Sequence, residues 1–387
     1  MNALRLVVAG SVTTNPYAGM AWMHMQIAVG LRRLGHNVLY VETASNWPYD
    51  PIRRSLVGDS DYALPYLARM ADDFGLGDRW AYRRSYGDKA WFGPLRDLAE
   101  DWLANADAVI NVSGATSFAK ECLKVGRLVY LGTDPVEDEV GYDRRDPDVI
   151  SLVEEHDDFA TYGENIGTAE CPLPPLPGLR ARTRQPVLMD LWDAGPPEKE
   201  EFTTVCNWKG EREIEFRGEK YYWSKDREFL KFIDLPKRIR QPLELAMGLE
   251  HVPADMYEKI TANGWRLSDA HAMTLDPWRY RDYVRASRGE FTVAKDQNVR
   301  LRTGWFSERS ACYLAAGRPV ITQDTGFGTV LPSGEGLFAF NTMDEILAAF
   351  EAIRSDYGRH ARAAREIANE YFRAETVLGR LLGDLGL

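Results

Sequence analysis

The stretch GWFSERSACYLAAGRPVITQDTGFG, residues 304 to 328, contains a helix start, a helix end, a buried strand and a glycine-rich turn. Ser307 is a favourable N-cap, and apolar residues recur after it at helical spacing until Gly317 and Pro319 end the helix. The run PVITQD then predicts a buried strand, and TGFG predicts a sharp turn at its carboxyl end. Because ligands of open α/β sheets bind at such ends, this stretch predicts a ligand site.

The same alternation of strands and helices runs through the rest of the chain. Near the N-terminus, LRLVVAG, MAWMHMQIAVGLRRL and HNVLYVET form a strand, a helix and a second strand, and ADAVINVSGATSFAKECLKVG and RLVYLGTDP continue the pattern. The alternation restarts at FTTVCNWKG, and the spacing of Phe229, Phe232 and Ile233 predicts a helix in EKYYWSKDREFLKFIDL. Parallel sheets with crossover helices are the expected result.

The length of 387 residues predicts two domains rather than one. We assign residues 1–175 to an N-terminal Rossmann-like domain and the proline-dense residues 176–186 to a linker. Residues 187–369 then form a C-terminal Rossmann-like domain, and a last helix, about 370–387, is expected to pack back on the first domain. The predicted fold class is therefore α/β, with two Rossmann-like domains that face each other across a cleft.

The amino-acid composition limits the kinds of molecule that the protein is expected to bind. Lys and Arg number 47 against 58 Asp and Glu, a net charge of −11 that disfavours nucleic acid or an anionic membrane as the main partner. The four cysteines are scattered without metal-ligand spacing, so no metal site is predicted. The N-terminus has no secretory signal pattern and the sequence no apolar run of membrane-spanning length, which predicts a cytoplasmic protein without a transmembrane segment.

Two regions, one near each end of the chain, resemble a known family. AGMAWMHMQIAVGLRRLGHNVLYVE near the N-terminus, together with ACYLAAGRPVITQDTGFG and GEGLFAF near the C-terminus, is similar to the GT-B fold glycosyltransferases, nearest to the type called glycosyl transferases group 1. The resemblance implies that the N-terminal domain binds an acceptor. It also implies that the C-terminal domain binds a nucleoside diphosphate sugar.

The sequence departs from that family at three positions. Many members have glutamates at the positions that align with Gly304 and Cys312, and inverting relatives often have a catalytic histidine where Met20 stands. The chemistry that those side chains carry in relatives is therefore not transferred to this chain.

The start of the C-terminal helix is the predicted diphosphate site. Unpaired N–H groups after Ser307 and the positive end of the helix dipole suit an anion, and Arg309 adds a guanidinium suited to phosphate oxygens. Glu308 is expected to face the ribose hydroxyls of the nucleotide. Lys295 and Arg302, in the loops before the helix, are expected to neutralise the diphosphate. The alternatives are a solvated helix start and ordinary surface charges.

The residues after the following strand are the predicted sugar site. Asp324, Thr325, Gly326 and Phe327 stand where relatives hold the donor sugar: Asp324 can accept from sugar hydroxyls, and Gly326 lets backbone amides approach. The alternative is an Asx-type turn at Asp324. Trp208, at the end of the first strand of the C-terminal domain, suits a nucleobase, and the alternative there is a plain surface turn.

The acceptor side has weaker sequence signals. Gly19, in the loop before the first helix, is expected to admit the donor phosphates. Asp134 follows a strand in LGTDP and is the first candidate for a general base, with helix capping or turn formation as the alternative. His24 and Glu164 are the other candidate bases, and a core or domain-interface role is the alternative for His24.

The predicted function is transfer of a sugar, of hexosyltransferase type, from a nucleoside diphosphate sugar to a hydroxyl of a small-molecule or glycan acceptor. Stabilisation of the leaving diphosphate by fixed charges requires no metal, and no cofactor is expected besides the donor, which is a co-substrate. Two alternatives remain open at this point. They are hydrolysis or epimerisation of a nucleotide sugar, and a non-catalytic protein that binds a nucleotide sugar.

Overall fold

The computed structural model describes residues 3–43 and 47–387. The chain forms two compact units. The N-terminal unit comprises Met1–Gly163, Pro175–Leu188 and Ala374–Leu387, and the C-terminal unit comprises Glu164–Pro174 and Met189–Arg373. No helix among the described residues combines the length and the apolar character needed to cross a bilayer.

The N-terminal unit is built on an eight-stranded sheet in the order β10-β9-β8-β7-β1-β2-β5-β6, parallel except for the last strand. The strands of this sheet are β1 (Arg5–Ala9), β2 (Asn37–Thr43), β5 (Trp80–Arg83), β6 (Trp91–Phe92), β7 (Ala108–Val112), β8 (Leu128–Gly132), β9 (Asp158–Thr161) and β10 (Leu179–Arg182). A separate short hairpin consists of β3 (Tyr49–Asp50) and β4 (Ser55–Leu56). The helices between them are α1 (Ala18–Arg33), α2 (Ala63–Asp73), α3 (Ala99–Ala104), α4 (Glu137–Asp143) and α5 (Pro147–Glu155).

The C-terminal unit has a six-stranded, fully parallel sheet in the order β15-β14-β11-β16-β17-β18, with a separate hairpin β12–β13. Its strands are β11 (Phe202–Val205), β12 (Glu213–Phe216), β13 (Glu219–Tyr222), β14 (Leu243–Met247), β15 (Arg266–Asp269), β16 (Gly289–Thr292), β17 (Val320–Gln323) and β18 (Leu337–Phe340). Its helices are α6 (Asp226–Lys231), α7 (Ala254–Ala262), α8 (His271–Thr274), α9 (Pro277–Ala286), α10 (Asp296–Arg300), α11 (Glu308–Ala315), α12 (Met343–Ser355) and α13 (Tyr357–Ile367).

The last helix, α14 (Ala374–Asp384), belongs to the N-terminal unit and packs on α1. The two helices approach closely at Gly30, where an added Cβ would lie 2.5 Å from a methyl carbon of Leu378 and 3.1 Å from the Cβ of Ala374. The missing side chain of Gly30 is therefore what allows this contact.

The prediction of an α/β fold with two Rossmann-like domains is confirmed, and two local predictions are wrong. The proposed linker, residues 176–186, contains strand β10, because the proline-free residues Leu179–Arg182 pair with β9. The helix predicted in EKYYWSKDREFLKFIDL is confined to Asp226–Lys231. Its aromatic beginning forms β13, which pairs with β12 across a turn at Arg217 and Gly218, both with positive φ.

Candidate functional site

The carboxyl ends of β11, β16 and β17 form one edge of the C-terminal sheet, because all the strands of this sheet are parallel. The segments that leave these strands include most of the residues predicted to bind the donor. Helix α11, whose first turn is the predicted diphosphate site, packs against β16 and β17. This edge is the candidate donor site.

Lys225 is a residue of this edge that the sequence reasoning missed. Its side chain is buried, at 8% exposure, and in the part of the chain that the structure describes its ammonium has neither a hydrogen bond nor an ion pair. Burial, reinforced by the charge of Arg309, lowers its pKa to about 7. A buried ammonium without a counterion is unfavourable unless an anion joins it. A signal was present in the sequence, since Lys225 is the N-cap of α6, where a cation opposes the helix dipole.

Lys225 lies beside the predicted phosphate ligand Lys295 because two backbone segments are joined. The amide of Asp296 donates to the carbonyl of Ser224 at 3.2 Å, and the amide of Tyr222 donates to Asp296 Oδ2 at 3.0 Å. Lys225 follows Ser224 in the chain and Lys295 precedes Asp296, so the hydrogen bond between Ser224 and Asp296 brings the two lysines near each other. The positive charge of Lys295 is one of the influences that lower the pKa of Lys225.

Arg309 has a different environment from the one predicted. Its Nε donates to Glu290 Oε1 at 2.5 Å, Nη1 donates to the carbonyl of Val205 at 2.6 Å, and Nη2 donates to Thr292 Oγ1 at 2.9 Å. Glu290 is fully buried and requires a cation. The guanidinium therefore points inward and is neutralised by Glu290, and the contact of Arg309 with a diphosphate stays a prediction. Its contacts instead anchor α11 to β11 and β16.

The start of α11 keeps the features of an anion site. Ser307 is the N-cap, its side chain makes no capping hydrogen bond, and its carbonyl accepts the amide of Ala311. Glu308 is half-buried and lies along the helix, where its Oε1 accepts from Cys312 Sγ at 3.3 Å. Burial raises the pKa of Glu308 to about 7, which weakens the repulsion it would exert on a diphosphate. Its contact with ribose hydroxyls stays a prediction.

A small pocket lies between the first turn of α11 and the ends of β16 and β17. Its lining is mainly apolar, with hydroxyl and amide groups among the aromatic rings. The lining residues are Thr292, Val293, Ala294, Trp305, Phe306, Ser307, Thr322, Gln323, Thr325 and Phe327.

The loop after β17 has the Asx-type turn that was the alternative to a sugar site. Asp324 Oδ1 accepts from the amide of Gly326 at 2.8 Å, and Asp324 Oδ2 accepts from Arg302 Nη1 at 3.1 Å. The Asp324 carboxylate therefore has partners within the protein, and the roles of Asp324 and Gly326 at the donor sugar stay predictions. The structure brings Arg302 to this loop, and its role as a phosphate ligand stays a prediction.

The side chains of Thr325 and Phe327 stabilise the loop after β17. Thr325 Oγ1 donates to the carbonyl of Trp305 at 2.5 Å. Phe327 is buried against Phe306, with ring centroids 5.2 Å apart in an edge-to-face arrangement. Both side chains line the pocket and also have partners within the protein, and their role at the donor sugar stays a prediction.

Asn165 clamps the same loop. Its Nδ2 donates to the carbonyls of Arg302 and Gly326 at 3.1 and 3.0 Å, and its Oδ1 accepts from Thr329 Oγ1 at 2.8 Å. Gly304 and Gly326 both have positive φ, and a Cβ on either would lie within 3.0 Å of Asn165. Glycine is therefore favoured at position 304, which aligns with a family glutamate, because a side chain there would have a strained backbone and would collide with Asn165.

Glu164, which precedes Asn165 in the chain, belongs to the C-terminal unit and is buried. The structure thus places Glu164 in a different unit from Asp134 and His24, and its role as a base stays a prediction. The cause is the chain path, since Glu164–Pro174 leaves the N-terminal unit directly after Gly163.

Trp208 was predicted to bind a nucleobase, and that role stays a prediction. The ring is buried in the core of the C-terminal unit and stacks on Phe229 at a centroid distance of 5.7 Å. Trp208 lies in the segment between β11 and the inserted hairpin β12–β13, which separates β11 from α6.

His24, a predicted candidate base, is a core histidine. It is fully buried in α1, its Nδ1 lies 2.8 Å from the carbonyl of Met20, and its Nε2 lies 3.4 Å from the amide of Ser11. Burial lowers its pKa to about 4. The ring is neutral and both nitrogens have partners, as in the core role that was the alternative, and a role of His24 as the acceptor base stays a prediction. Gly19 lies in the first turn of α1 with open space around its Cα, and its role stays a prediction.

Asp134 follows β8, at the carboxyl edge of the N-terminal sheet, as expected from the sequence. It lines a small pocket together with Tyr130, Asp138 and Glu139. The Tyr130 hydroxyl donates to Asp138 Oδ2, and the amide of Val136 donates to Glu139 Oε2 at 2.7 Å. Burial raises the pKa of Glu139 to about 7. The structure thus places Asp134 in a carboxylate-rich pocket, and its role as a base stays a prediction.

No protein-family model matches the sequence, and no curated protein matches it. Solved structures do match. HepE of Anabaena, in complex with UDP, aligns over 98% of this chain and 99% of its own, with 14% identity and a TM-score of 0.56. The α-glucosyltransferase AGT, also in complex with UDP, aligns over 100% of both chains, with 11% identity and a TM-score of 0.59. A glycosyltransferase from Rickettsia africae ESF-5 aligns over 99% of this chain and 98% of its own, with 12% identity and a TM-score of 0.54. The chain therefore has the GT-B fold of these glycosyltransferases.

Proposed function

We propose that the protein is a glycosyltransferase that binds a nucleoside diphosphate sugar at the carboxyl edge of the C-terminal sheet. The observation that carries the proposal is Lys225, a buried ammonium beside Lys295 with a pKa of about 7 and with no counterion among the residues that the structure describes. A diphosphate supplies the negative charge that this arrangement requires.

The same cations explain the chemistry. As the bond between the sugar and the diphosphate breaks, negative charge grows on the leaving phosphate oxygen, and fixed positive charges stabilise it. Lys225 and Lys295 provide these charges, and the first amides of α11 add the positive end of the helix dipole. We propose that this arrangement makes the transfer independent of a metal ion.

The donor is proposed to be a UDP-hexose. HepE has been solved with UDP-glucose, and AGT is an α-glucosyltransferase solved with UDP. AGT has also been solved with a 13-mer DNA. The net charge of −11 disfavours a polyanionic acceptor for the present chain. We propose a hydroxyl of a small molecule or glycan as the acceptor, with Asp134 as its base.

Calorimetry with UDP, dTDP, GDP and ADP tests the donor site. We expect one diphosphate to bind with a dissociation constant well below millimolar, and Lys225→Gln to weaken it by about ten- to a hundredfold while the free nucleoside is unaffected. Lys220→Gln is the matched control, because Lys220 is an exposed lysine paired with Glu213 on the neighbouring hairpin.

Two results would contradict the proposal. One is the absence of binding by any of the four diphosphates at millimolar concentration. The other is an equal loss of diphosphate and nucleoside binding in Lys225→Gln, which would make Lys225 structural. Release of UDP from UDP-glucose at the same rate with and without acceptors would identify a hydrolase instead.

A further inference from the structure

An exposed apolar surface lies on and beside the hairpin β3–β4 of the N-terminal unit. Trp47, just before β3, is 55% exposed, and Ile52 and Leu56 are 69% and 62% exposed. Among the residues that the structure describes, only Leu98 and Tyr257 are large apolar residues with a similar exposure. Apolar side chains gathered in this way mark binding sites, whereas single exposed ones are ordinary.

This surface lies at the carboxyl edge of the N-terminal sheet. Trp47 comes shortly after β2, and Tyr17 is the N-cap of α1, at the end of the loop after β1. Strands β2, β1, β7 and β8 are parallel neighbours, so these segments leave the same edge as Asp134, the proposed base. Neighbouring strands lie about 4.8 Å apart, which puts the ends of β2 and β8 about 14 Å from each other.

Aromatic rings from three segments meet beside the hairpin. The ring centroids of Tyr17 and Tyr49 lie 6.0 Å apart, with an angle of 34° between the planes. Burial, a hydrogen bond with Tyr49 and the nearby hydroxyl of Tyr62 raise the pKa of Tyr17, which places the three phenols together. We call Tyr17, Trp47, Tyr49 and Tyr62 the aromatic platform. Tyr49 is also the cross-strand partner of Leu56, so these two side chains share a face of the hairpin.

The charges around the aromatic platform are unsuited to an anionic surface. Residues 47–62 contain three aspartates and two arginines. Arg53 pairs with all three: Nη1 lies 2.7 Å from Asp59 Oδ2, Nε lies 3.3 Å from Asp50 Oδ2, and Nη2 lies 3.9 Å from Asp61 Oδ2. A membrane of anionic lipids or a nucleic acid would require an excess of positive charge here. Carboxylates and phenols instead accept hydrogen bonds from hydroxyl groups.

A carbohydrate combines the two properties that this surface matches. A sugar ring has apolar C–H faces that pack on aromatic rings, and a rim of hydroxyls that bind carboxylates and phenols. The 14 Å or so between the ends of β2 and β8 is too long for one sugar ring to contact both the aromatic platform and Asp134. An oligosaccharide can extend along the sheet edge from one to the other.

We propose that the aromatic platform binds an oligosaccharide acceptor, at a sugar unit remote from the hydroxyl that reacts. This inference rests on the proposed function, which places the reacting hydroxyl at Asp134. It adds to that function the chemical class of the acceptor and a minimum length greater than one sugar unit.

Saturation-transfer NMR without any donor tests the proposal. The probes are di- to hexasaccharides of glucose, galactose, mannose or N-acetylglucosamine, together with the four monosaccharides. We expect at least one oligosaccharide to bind the wild type, Trp47→Ala to weaken it about tenfold, and Trp47→Phe to retain most of the affinity. The monosaccharides should bind more weakly than that oligosaccharide. Tyr257→Ala is the matched control, because Tyr257 is an exposed aromatic residue on α7 of the C-terminal unit, and it should bind as the wild type does.

Three results would overturn the proposal. They are no binding of any oligosaccharide at millimolar concentration, unchanged affinity in Trp47→Ala, and an equal loss in Tyr257→Ala. Sedimentation of the wild type with phosphatidylglycerol vesicles, or its self-association in ultracentrifugation, would also overturn it if Trp47→Ala abolished that behaviour and bound the oligosaccharides normally. Circular dichroism checks that Trp47→Ala is folded, and Trp47→Gln replaces it if it is not.

The proposed function fails by a different measurement. Absence of binding by UDP and the other nucleoside diphosphates, measured without an acceptor, contradicts the donor site in the C-terminal unit. Oligosaccharide binding is measured without a donor and depends on the N-terminal unit, so the two failures are distinguishable.

Discussion

The carbonyl of Ser224 and the amide of Asp296 form a 3.2 Å hydrogen bond that joins the base of the inserted hairpin to the start of α10. Because Lys225 and Lys295 are the chain neighbours of these residues, the bond brings two like charges together. Burial, reinforced by the charge of Arg309 and to a smaller extent by that of Lys295, lowers the pKa of Lys225 to about 7. An anion that binds between Lys225 and Lys295 neutralises their charges and favours the protonated form of Lys225. The affinity of that anion therefore depends on pH.

We expect the affinity for UDP to fall as the pH rises from 7 to 9. Lys225 loses its proton in the free protein near pH 7 and regains it when the diphosphate binds, so binding takes up to one proton and the dissociation constant rises up to about tenfold per pH unit. UDP itself does not change charge in this range, because a terminal phosphate titrates near pH 6.

Calorimetry in buffers of different ionisation enthalpy measures this proton uptake. Lys225→Met should bind UDP weakly, with little pH dependence and no uptake above pH 7. A wild-type dissociation constant that stays flat between pH 7 and 9 would contradict the assignment.

Lys225→Met should also stabilise the unliganded protein. The pKa of Lys225 is lowered from 10.5 to about 7 by folding, so the unfolded chain binds the proton more tightly. The resulting cost is full below pH 7 and disappears as the pH approaches 10.5. We expect a gain of about 1–3 kcal/mol in the free energy of unfolding at pH 7, measured with urea. Lys220→Met, at an exposed site, should change stability little, and a less stable Lys225→Met protein would argue against a strained lysine.

Arg309→Met should destabilise the protein by about 3–5 kcal/mol, because it leaves the fully buried carboxylate of Glu290 without its cation. The double variant Arg309→Met with Glu290→Gln should recover most of the loss. Urea unfolding of the single and double variants measures both effects. Arg281→Met is the control, since Arg281 pairs with Asp282, an exposed partner. Near-wild-type stability of the single variant would show that the ion pair is not structural.

Asn165→Ala should lower the free energy of unfolding by about 1–3 kcal/mol, because the carbonyls of Arg302 and Gly326 lose a donor in a buried position. Thermal unfolding measures the change. The control is Asn263→Ala, whose side chain makes an exposed hydrogen bond to the carbonyl of Lys259. Equal effects of the two substitutions would contradict the clamp assigned to Asn165.

Asp134→Asn should reduce turnover by about a hundredfold or more and leave the affinity for the donor nearly unchanged, because it removes a base and keeps the shape of the side chain. Product formation at saturating donor and acceptor is the measurement, and Asp143→Asn on the exposed side of α4 is the control. Wild-type turnover would remove Asp134 from the mechanism. His24, Glu164 or a retaining route without a base would then remain, and of the two residues His24 is fully buried, with a lowered pKa.

Local signals predicted the elements of residues 304–328 well. Helix α11 begins after Ser307 and strand β17 covers Val320–Gln323, as the cap, the apolar spacing and the β-branched run indicated. The same signals failed at β13, where aromatic residues at helical spacing pair instead with β12. Spacing alone does not distinguish a helix from a strand whose partner lies across a tight turn.

The amino-acid sequence by itself determined the α/β alternation, the edge where the candidate donor site lies and the net negative charge, since these follow from periodicity, capping and composition. Only the tertiary structure decided which charges are available there. Arg309 is neutralised by Glu290, and Lys225 is joined to Lys295 through a backbone bond between distant segments. The physical reason is that the free energy of a charge depends on burial and on partners brought near by folding, and neither is encoded in the local pattern around it.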